Sequence, residues 1–180
     1  MNPPRPANVR LRIARAAGAA LASLAPACSS PLGGRDLDLS LAAQALPGAG
    51  ASVAVAQKMV ESGSRRIDFE LGIERQKLSD AGPGGDDWSR LYAGLRCAAL
   101  ESGAGLQGRL GVNWLRNEGQ TSALDPGDYG GAYVGAGWSF ALTPALATGP
   151  EATFIWVDSE GDASGSGALA ELAWRFTWHL

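Results

Sequence analysis

The sequence has few of the side chains on which metal proteins and many enzymes depend. It contains one histidine, His179, and two cysteines, Cys28 and Cys97, which form no Cys-x-x-Cys pair. A zinc site needs a cluster of such ligands. No lysine follows the glycine-rich stretch around residues 131–137, as a phosphate-binding loop would require. We therefore expect no metal and no other cofactor. After the first thirty positions no apolar run reaches about 18 residues, so a membrane-spanning helix is not predicted.

Charge is scarce as well. Charged residues make up 18% of the chain, whereas about a quarter is usual in soluble domains. The formal net charge is −3, but four arginines lie in the first 27 residues; without that segment, 11 basic and 18 acidic side chains leave a net charge of −7. A protein of that sign has no electrostatic footprint for nucleic acid, so nucleic acid is excluded as a partner. The 25 glycines and 6 tryptophans favour strands and turns over helices.

Residues 1–27 have the order of a secretory signal peptide. A basic stretch is followed by a short apolar run, Ala16 to Ala25, and by the small-x-small sequence Ala25-Pro26-Ala27. A mitochondrial-type presequence or a disordered tail is the alternative. Cys28 would then open a short periplasmic segment, 28–35. It stands where a lipoprotein carries its lipid anchor, but Ala25 occupies the position where leucine is preferred, so an ordinary cleavage that leaves a free thiol is favoured over lipidation.

The end of the chain shows strict period-two alternation over nine residues, which is about the length of a tilted strand that crosses a bilayer. One face carries large apolar side chains: Leu172, Trp174, Phe176, Trp178 and Leu180. The other face carries Ala173, Arg175, Thr177 and His179. Such a face needs either a protein core or a lipid surface to cover it.

The same alternation recurs upstream and predicts an all-β chain of eight strands. We expect them at 36–45, 51–60, 66–77, 88–99, 106–117, 130–142, 149–158 and 168–180. Long polar connections alternate with short turns, and an even strand count is the rule for bacterial single-chain outer-membrane barrels. The sequence therefore predicts an eight-stranded antiparallel up-and-down transmembrane β-barrel over residues 36–180, with both of its ends in the periplasm.

The face opposite the aromatic residues carries charges of both signs. They are Asp68, Glu70 and Glu74 on the third strand, Arg90 and Arg96 on the fourth, Arg109 on the fifth and Arg175 on the eighth. Antiparallel neighbours can pair such groups, and an eight-stranded barrel is narrow enough for side chains to fill it. We expect a plug of salt bridges with no open pore. Closure of the barrel would bring Asp36 and Asp38 near Arg175 and His179. Tyr92 and Tyr133 share the same inward register.

These features resemble the small eight-stranded outer-membrane barrels, the OmpA- and OmpX-like or porin-family proteins. The resemblance covers about 36–180 and depends on the Leu-x-Trp-x-Phe-x-Trp-x-Leu ending, although that ending usually closes on Phe or Trp and here closes on Leu180. It implies a bacterial outer-membrane location, contact with outer-membrane lipids and lipopolysaccharide, and insertion by the barrel-assembly machinery, with residues 172–180 as the assembly signal. It assigns no task, because one fold carries many functions.

Three functions remain open from the sequence. The leading one is a non-enzymatic barrel with a structural, adhesion or surface-interaction role. The second is a periplasmic lipocalin-like binder of an apolar small molecule, which would need the aromatic face to turn inward. The third is a lipid-modifying outer-membrane enzyme, which would need a nucleophile beside its base, whereas His179 has no serine near it in sequence. The acidic loops, including Asp125 and Asp162, fit a solvated surface better than a specific Ca²⁺ site.

Overall fold

The computed structural model describes residues 37–46, 48–78, 86–101, 104–118, 125–159 and 166–180. The predicted signal peptide, the segment 28–35, Cys28 and Asp36 lie outside these residues. Eight antiparallel strands form a closed barrel in which each strand pairs with its neighbours in the sequence and β8 pairs with β1. The strands are β1 Leu37–Leu46, β2 Ala49–Ser62, β3 Arg65–Leu78, β4 Asp86–Glu101, β5 Ala104–Asn117, β6 Gly127–Thr143, β7 Leu146–Ser159 and β8 Ser166–His179. The predicted all-β eight-stranded barrel is confirmed.

Most strands extend further than the sequence pattern predicted. The fourth was expected at 88–99 and runs over Asp86–Glu101, and the sixth was expected at 130–142 and runs over Gly127–Thr143. Apolar alternation stops where the outward residues become polar, but the backbone ladder continues, as in the pairing of Arg116 with Asp128. Periodicity therefore reports the apolar part of a strand and misses its polar ends.

The connections divide the barrel into two distinct ends. At one end, here called the turn end, residues 63–64, 102–103 and 144–145 join consecutive strands, and β1 begins and β8 ends. At the other, the loop end, β1 is followed by a short connection, and the strand pairs β3–β4, β5–β6 and β7–β8 are separated in sequence by the longer segments 79–85, 118–126 and 160–165. Among the described residues, no helix has the length and apolar character needed to cross a membrane.

The two faces of the barrel wall differ sharply in chemistry. The large apolar side chains that are exposed point outward on all eight strands, for example Leu110 on β5, Val134 on β6 and Phe154 on β7. The inward side chains are mostly charged or polar and are buried. A lipocalin-like binder needs an open apolar cavity, and the described interior is instead filled by charged groups and, toward the loop end, by packed apolar side chains. That alternative is therefore wrong.

A glycine on β4 lets an interior tyrosine lie against the barrel wall. A Cβ added at Gly94 would stand 2.1 Å from the backbone oxygen of Leu110 and 2.6 Å from Oη of Tyr133. Both contacts are far shorter than van der Waals distance, so the position has room for hydrogen alone. The missing side chain leaves room for the Tyr133 ring, which lies close to the guanidiniums of Arg90 and Arg109.

Candidate functional site

The first of three interior ion groups lies at the turn end and joins the first and last strands. Arg96 Nη2 lies 2.7 Å from Asp68 Oδ2 and also contacts Asp38. Arg66 Nε lies 2.5 Å from Asp68 Oδ1, and its Nη2 lies 3.3 Å from Asp38. His179 Nδ1 is 2.8 Å from Asp38 Oδ1, and the two residues are register partners across the β1–β8 closure. We call these five residues the turn-end group.

The second group, the middle group, consists of Glu70, Arg109, Glu151 and Arg175. Arg175 donates to both oxygens of Glu151, with Nε at 2.7 Å and Nη2 at 3.0 Å. Its Nη1 lies 3.5 Å from Glu70 Oε2. Arg109 contacts Glu151 through Nη1 and Glu70 through Nη2, so it connects β7 with β3 across the lumen. Two carboxylates and two guanidiniums thus neutralise each other away from water.

The third group, the loop-side group, consists of Glu74, Gln76, Arg90 and Glu171. Arg90 Nη2 donates to Glu74 at 2.5 Å and to Glu171 at 2.9 Å. Gln76 Nε2 donates to the other oxygen of each carboxyl group, at 2.7 Å and 2.8 Å. This group thus has a single guanidinium for two acidic side chains, whereas the middle group has two guanidiniums for two.

A tyrosine pair connects the middle and loop-side groups. The rings of Tyr92 and Tyr133 meet edge to face with their centroids 5.6 Å apart, so the two inward tyrosines are in contact. The Arg90 guanidinium lies 5.0 Å from the Tyr92 centroid and 5.8 Å from that of Tyr133. Arg109 lies at 5.0 Å and 5.4 Å from the same two centroids. Ring faces attract cations, so the pair stabilises two guanidiniums without adding charge.

Apolar side chains fill the interior toward the loop end. This loop-end cap consists of Trp88, Leu115, Tyr129, Ile155 and Val157, all of which are buried. The Tyr129 hydroxyl donates to the backbone oxygen of Asp125 at 2.7 Å. A path wide enough for water would expose the side chains that line it. The buried ion groups and cap therefore leave no such path along the part of the interior that the structure describes.

The structure brings together every predicted interior charge that it describes. Asp68 meets Arg96, Glu74 meets Arg90, and Arg109 and Arg175 meet in the middle group. Asp38 was expected near both Arg175 and His179; it contacts His179, whereas the partners of Arg175 are Glu70 and Glu151. The sequence analysis missed Arg66, Gln76, Glu151 and Glu171. All four keep the inward register of their strands, so stepping back by four from Arg175, which is two inward positions, would have found Glu171.

The last strand presents its apolar face outward, as its alternation requires. Leu172, Trp174, Phe176 and Leu180 are exposed, and Trp178 is half-buried. Trp174 packs edge to face on Phe140 with centroids 6.2 Å apart and donates to Thr148 Oγ1 at 2.7 Å. Cys97 is an exposed free thiol on the outward register. The final strand therefore contributes to the continuous apolar outer surface of the barrel.

Two chemical possibilities raised by the sequence can be compared with the structure. Within the described part of the chain, no group of three or more His, Cys, Asp or Glu side chains is arranged to hold a metal ion. His179 is hydrogen-bonded to Asp38, whereas the hydroxyl of the neighbouring inward Ser40 lies 3.0 Å from Thr177 Oγ1. The histidine thus serves as a partner of the turn-end group in this geometry.

Comparisons with solved structures identify the fold. Neisserial surface protein A matches with a TM-score of 0.53 at 16% identity, over 80% of this chain and 94% of that one. The outer membrane enzyme PagL matches with 0.53 at 14% identity, over 79% and 99%. The N-terminal β-barrel domain of Pseudomonas aeruginosa OprF matches with 0.51 at 10% identity, over 81% and 99%. No protein-family model and no curated protein sequence matches the chain. The chain has the fold of the small eight-stranded outer-membrane β-barrels.

Proposed function

We propose that the protein is a non-enzymatic bacterial outer-membrane barrel with a structural, adhesion or surface-interaction role. The observation that carries this proposal is the inverted chemistry of the wall, with apolar side chains outside and ion groups inside. Exposure of so large an apolar surface to water is unfavourable, whereas contact with the hydrocarbon core of a bilayer carries no such penalty.

The height of the apolar surface supports a membrane location. Along β5 the outward positions from Leu106 to Trp114 are apolar or glycine. Eight residues at about 3.4 Å each, tilted by about 40°, span about 21 Å. The lipid-facing band of outer-membrane barrels is about 25 Å tall. The protein therefore fits the bilayer in thickness as well as in polarity.

The arrangement of the connections supports an orientation. Outer-membrane barrels place their longer loops outside the cell and their short turns in the periplasm. The loop end of this barrel would then face outward, surrounded by lipopolysaccharide and outer-membrane lipids. The aromatic face of residues 172–180 would serve the barrel-assembly machinery during insertion. Because the ion groups and cap fill the interior, the protein would act through its outer loops and would conduct no ions.

Fractionation of cells that express the full chain tests the location. The protein should stay with the outer membrane after carbonate washing and should migrate differently on a gel when it is not heated. A carbonate-soluble protein whose migration is independent of heating would refute the membrane proposal. In planar bilayers the purified barrel should give no steady conductance, and a stable channel current would refute the closed interior.

Epitope tags test the orientation. A short tag inserted between Gln120 and Thr121, in the connection after β5, should be detected on intact cells. The matched control is the same tag between Gly63 and Ser64, in the turn after β2, which should be detected only after permeabilisation. The reverse pattern would place the loop end in the periplasm and would contradict a surface role.

A further inference from the structure

The three ion groups differ in their balance of charge. The turn-end group has two carboxylates, Asp38 and Asp68, and two guanidiniums, Arg66 and Arg96, beside His179. The middle group likewise pairs two carboxylates with two guanidiniums. In the loop-side group, two carboxyl groups share the single guanidinium of Arg90. The excess acidic side chain of the interior is therefore confined to one place.

The geometry holds the two carboxyl groups of the loop-side group face to face. Arg90 Nη2 bonds one oxygen of Glu74 and one of Glu171, and Gln76 Nε2 bonds the remaining oxygen of each. The two carboxyl groups therefore share the same two donor nitrogens. The Glu74 and Glu171 side chains are only 3% and 4% exposed, so water does not screen them.

An ionised carboxylate is only a hydrogen-bond acceptor, so two ionised carboxylates that share the same donors offer each other no hydrogen bond. Two negative charges that are buried and share one guanidinium repel each other strongly. A bound positive charge is required. We propose that Glu74 and Glu171 form a proton-binding site that holds one shared proton at neutral pH. A hydrogen bond from the protonated carboxyl to the ionised one then satisfies both groups.

A proton fits this site better than a metal ion. The Arg90 guanidinium already occupies the space between two of the oxygens, and a metal beside it would meet a positive charge. Gln76 turns its amide nitrogen, a donor, toward both carboxyl groups. The other charged or titratable groups that contact Arg90 are the rings of Tyr92 and Tyr133, and Arg109 lies against the same rings. The tyrosine rings carry no positive charge, and Arg109 is already paired with Glu70 and Glu151, so none of these groups supplies the missing positive charge.

The shared proton involves only the barrel interior and is independent of the role of the loops. Infrared spectroscopy of the mature protein, folded in lipid vesicles with ¹³C-labelled glutamate, tests it at neutral pH. We expect a carbonyl band of a protonated glutamic acid that disappears in both Glu171→Gln and Glu74→Gln. Absence of this band in the wild-type protein would overturn the proposal, since both carboxyl groups would then be ionised.

Stability gives a second, independent test with a matched control. Glu171→Gln removes the excess acid and supplies an amide donor to Glu74, so its urea midpoint should equal or exceed that of the wild-type protein. Glu151→Gln is the same substitution in the balanced middle group and should lower the midpoint, because it leaves two guanidiniums with Glu70 alone. An equal loss in the two variants would overturn the proposal. Stabilisation of the wild-type protein by added Na⁺ without the protonated band would assign the site to a metal cation instead.

Discussion

Leu110 offers the most direct test of a bilayer around this barrel. It lies at the middle of the outward face of β5, beside Leu95 on β4 and Val134 on β6, and is 54% exposed. In the variant Leu110→Arg, a guanidinium would face the hydrocarbon core. An arginine on the lipid face near the midplane destabilises a transmembrane barrel by about 2–4 kcal/mol.

The matched control is Leu106→Arg on the same strand. Leu106 faces the same way and is 58% exposed, but it lies four residues nearer the turn end. At about 3.4 Å a residue and a tilt of about 40°, that places it about 10 Å from Leu110 along the membrane normal. Near the interface the cost of arginine falls to about 0–1 kcal/mol.

Urea unfolding of the mature chain in vesicles of one lipid composition measures both costs, with tryptophan fluorescence or unheated gel migration as the readout. If the barrel is surrounded by a bilayer, Leu110→Arg should lose more free energy of unfolding than Leu106→Arg. Equal losses would show that depth in a bilayer has no part in the effect. A Leu110→Arg variant as stable as the wild type would mean that the apolar face does not contact lipid.

Two further predictions concern the wall and the interior. Gly94→Ala should lower the free energy of unfolding by about 1–3 kcal/mol, because the added Cβ would collide with a backbone oxygen. Gly108→Ala on β5 is the control and should be neutral, since a Cβ there meets nothing within 4 Å. Similar urea midpoints for the two variants would refute close packing at Gly94. Asp38→Asn should cost about 3–5 kcal/mol, since it leaves buried guanidiniums unbalanced, while His179→Gln should cost less than about 1 kcal/mol at its partly exposed position. The folded fraction on unheated gels measures both, and a larger effect from His179 would contradict this ranking.

Strand periodicity in the sequence predicted the fold because lipid on one side and a polar lumen on the other impose strict alternation. β8 shows this most clearly. β7 was harder to recognise, because Ile155 and Val157 point inward into the loop-end cap while Phe154 and Trp156 point outward. A strand that is apolar on both faces has lost the period-two signal on which the prediction depends.

The interior contacts were predictable only between adjacent strands. Asp68 and Arg96 are register partners on β3 and β4, and their pairing follows from the alternation. Arg109 instead reaches past β6 to Glu151 on β7, and its register partner on β6 is Gly135, which has no side chain to block the way. Contacts across a lumen depend on which neighbours are small, and no single strand pattern contains that information.

The loop-end cap gives the barrel a modular construction. Its apolar layer of Trp88, Leu115, Tyr129, Ile155 and Val157 lies on the loop-end side of the ion groups. A foreign peptide spliced into the connection 118–126 would be joined to strands that enclose this apolar layer, and we expect the salt bridges beneath the layer to remain undisturbed. The protein is therefore suited to serve as a peptide-display scaffold, in which the displayed segment varies while the ionic core that stabilises the barrel remains the same.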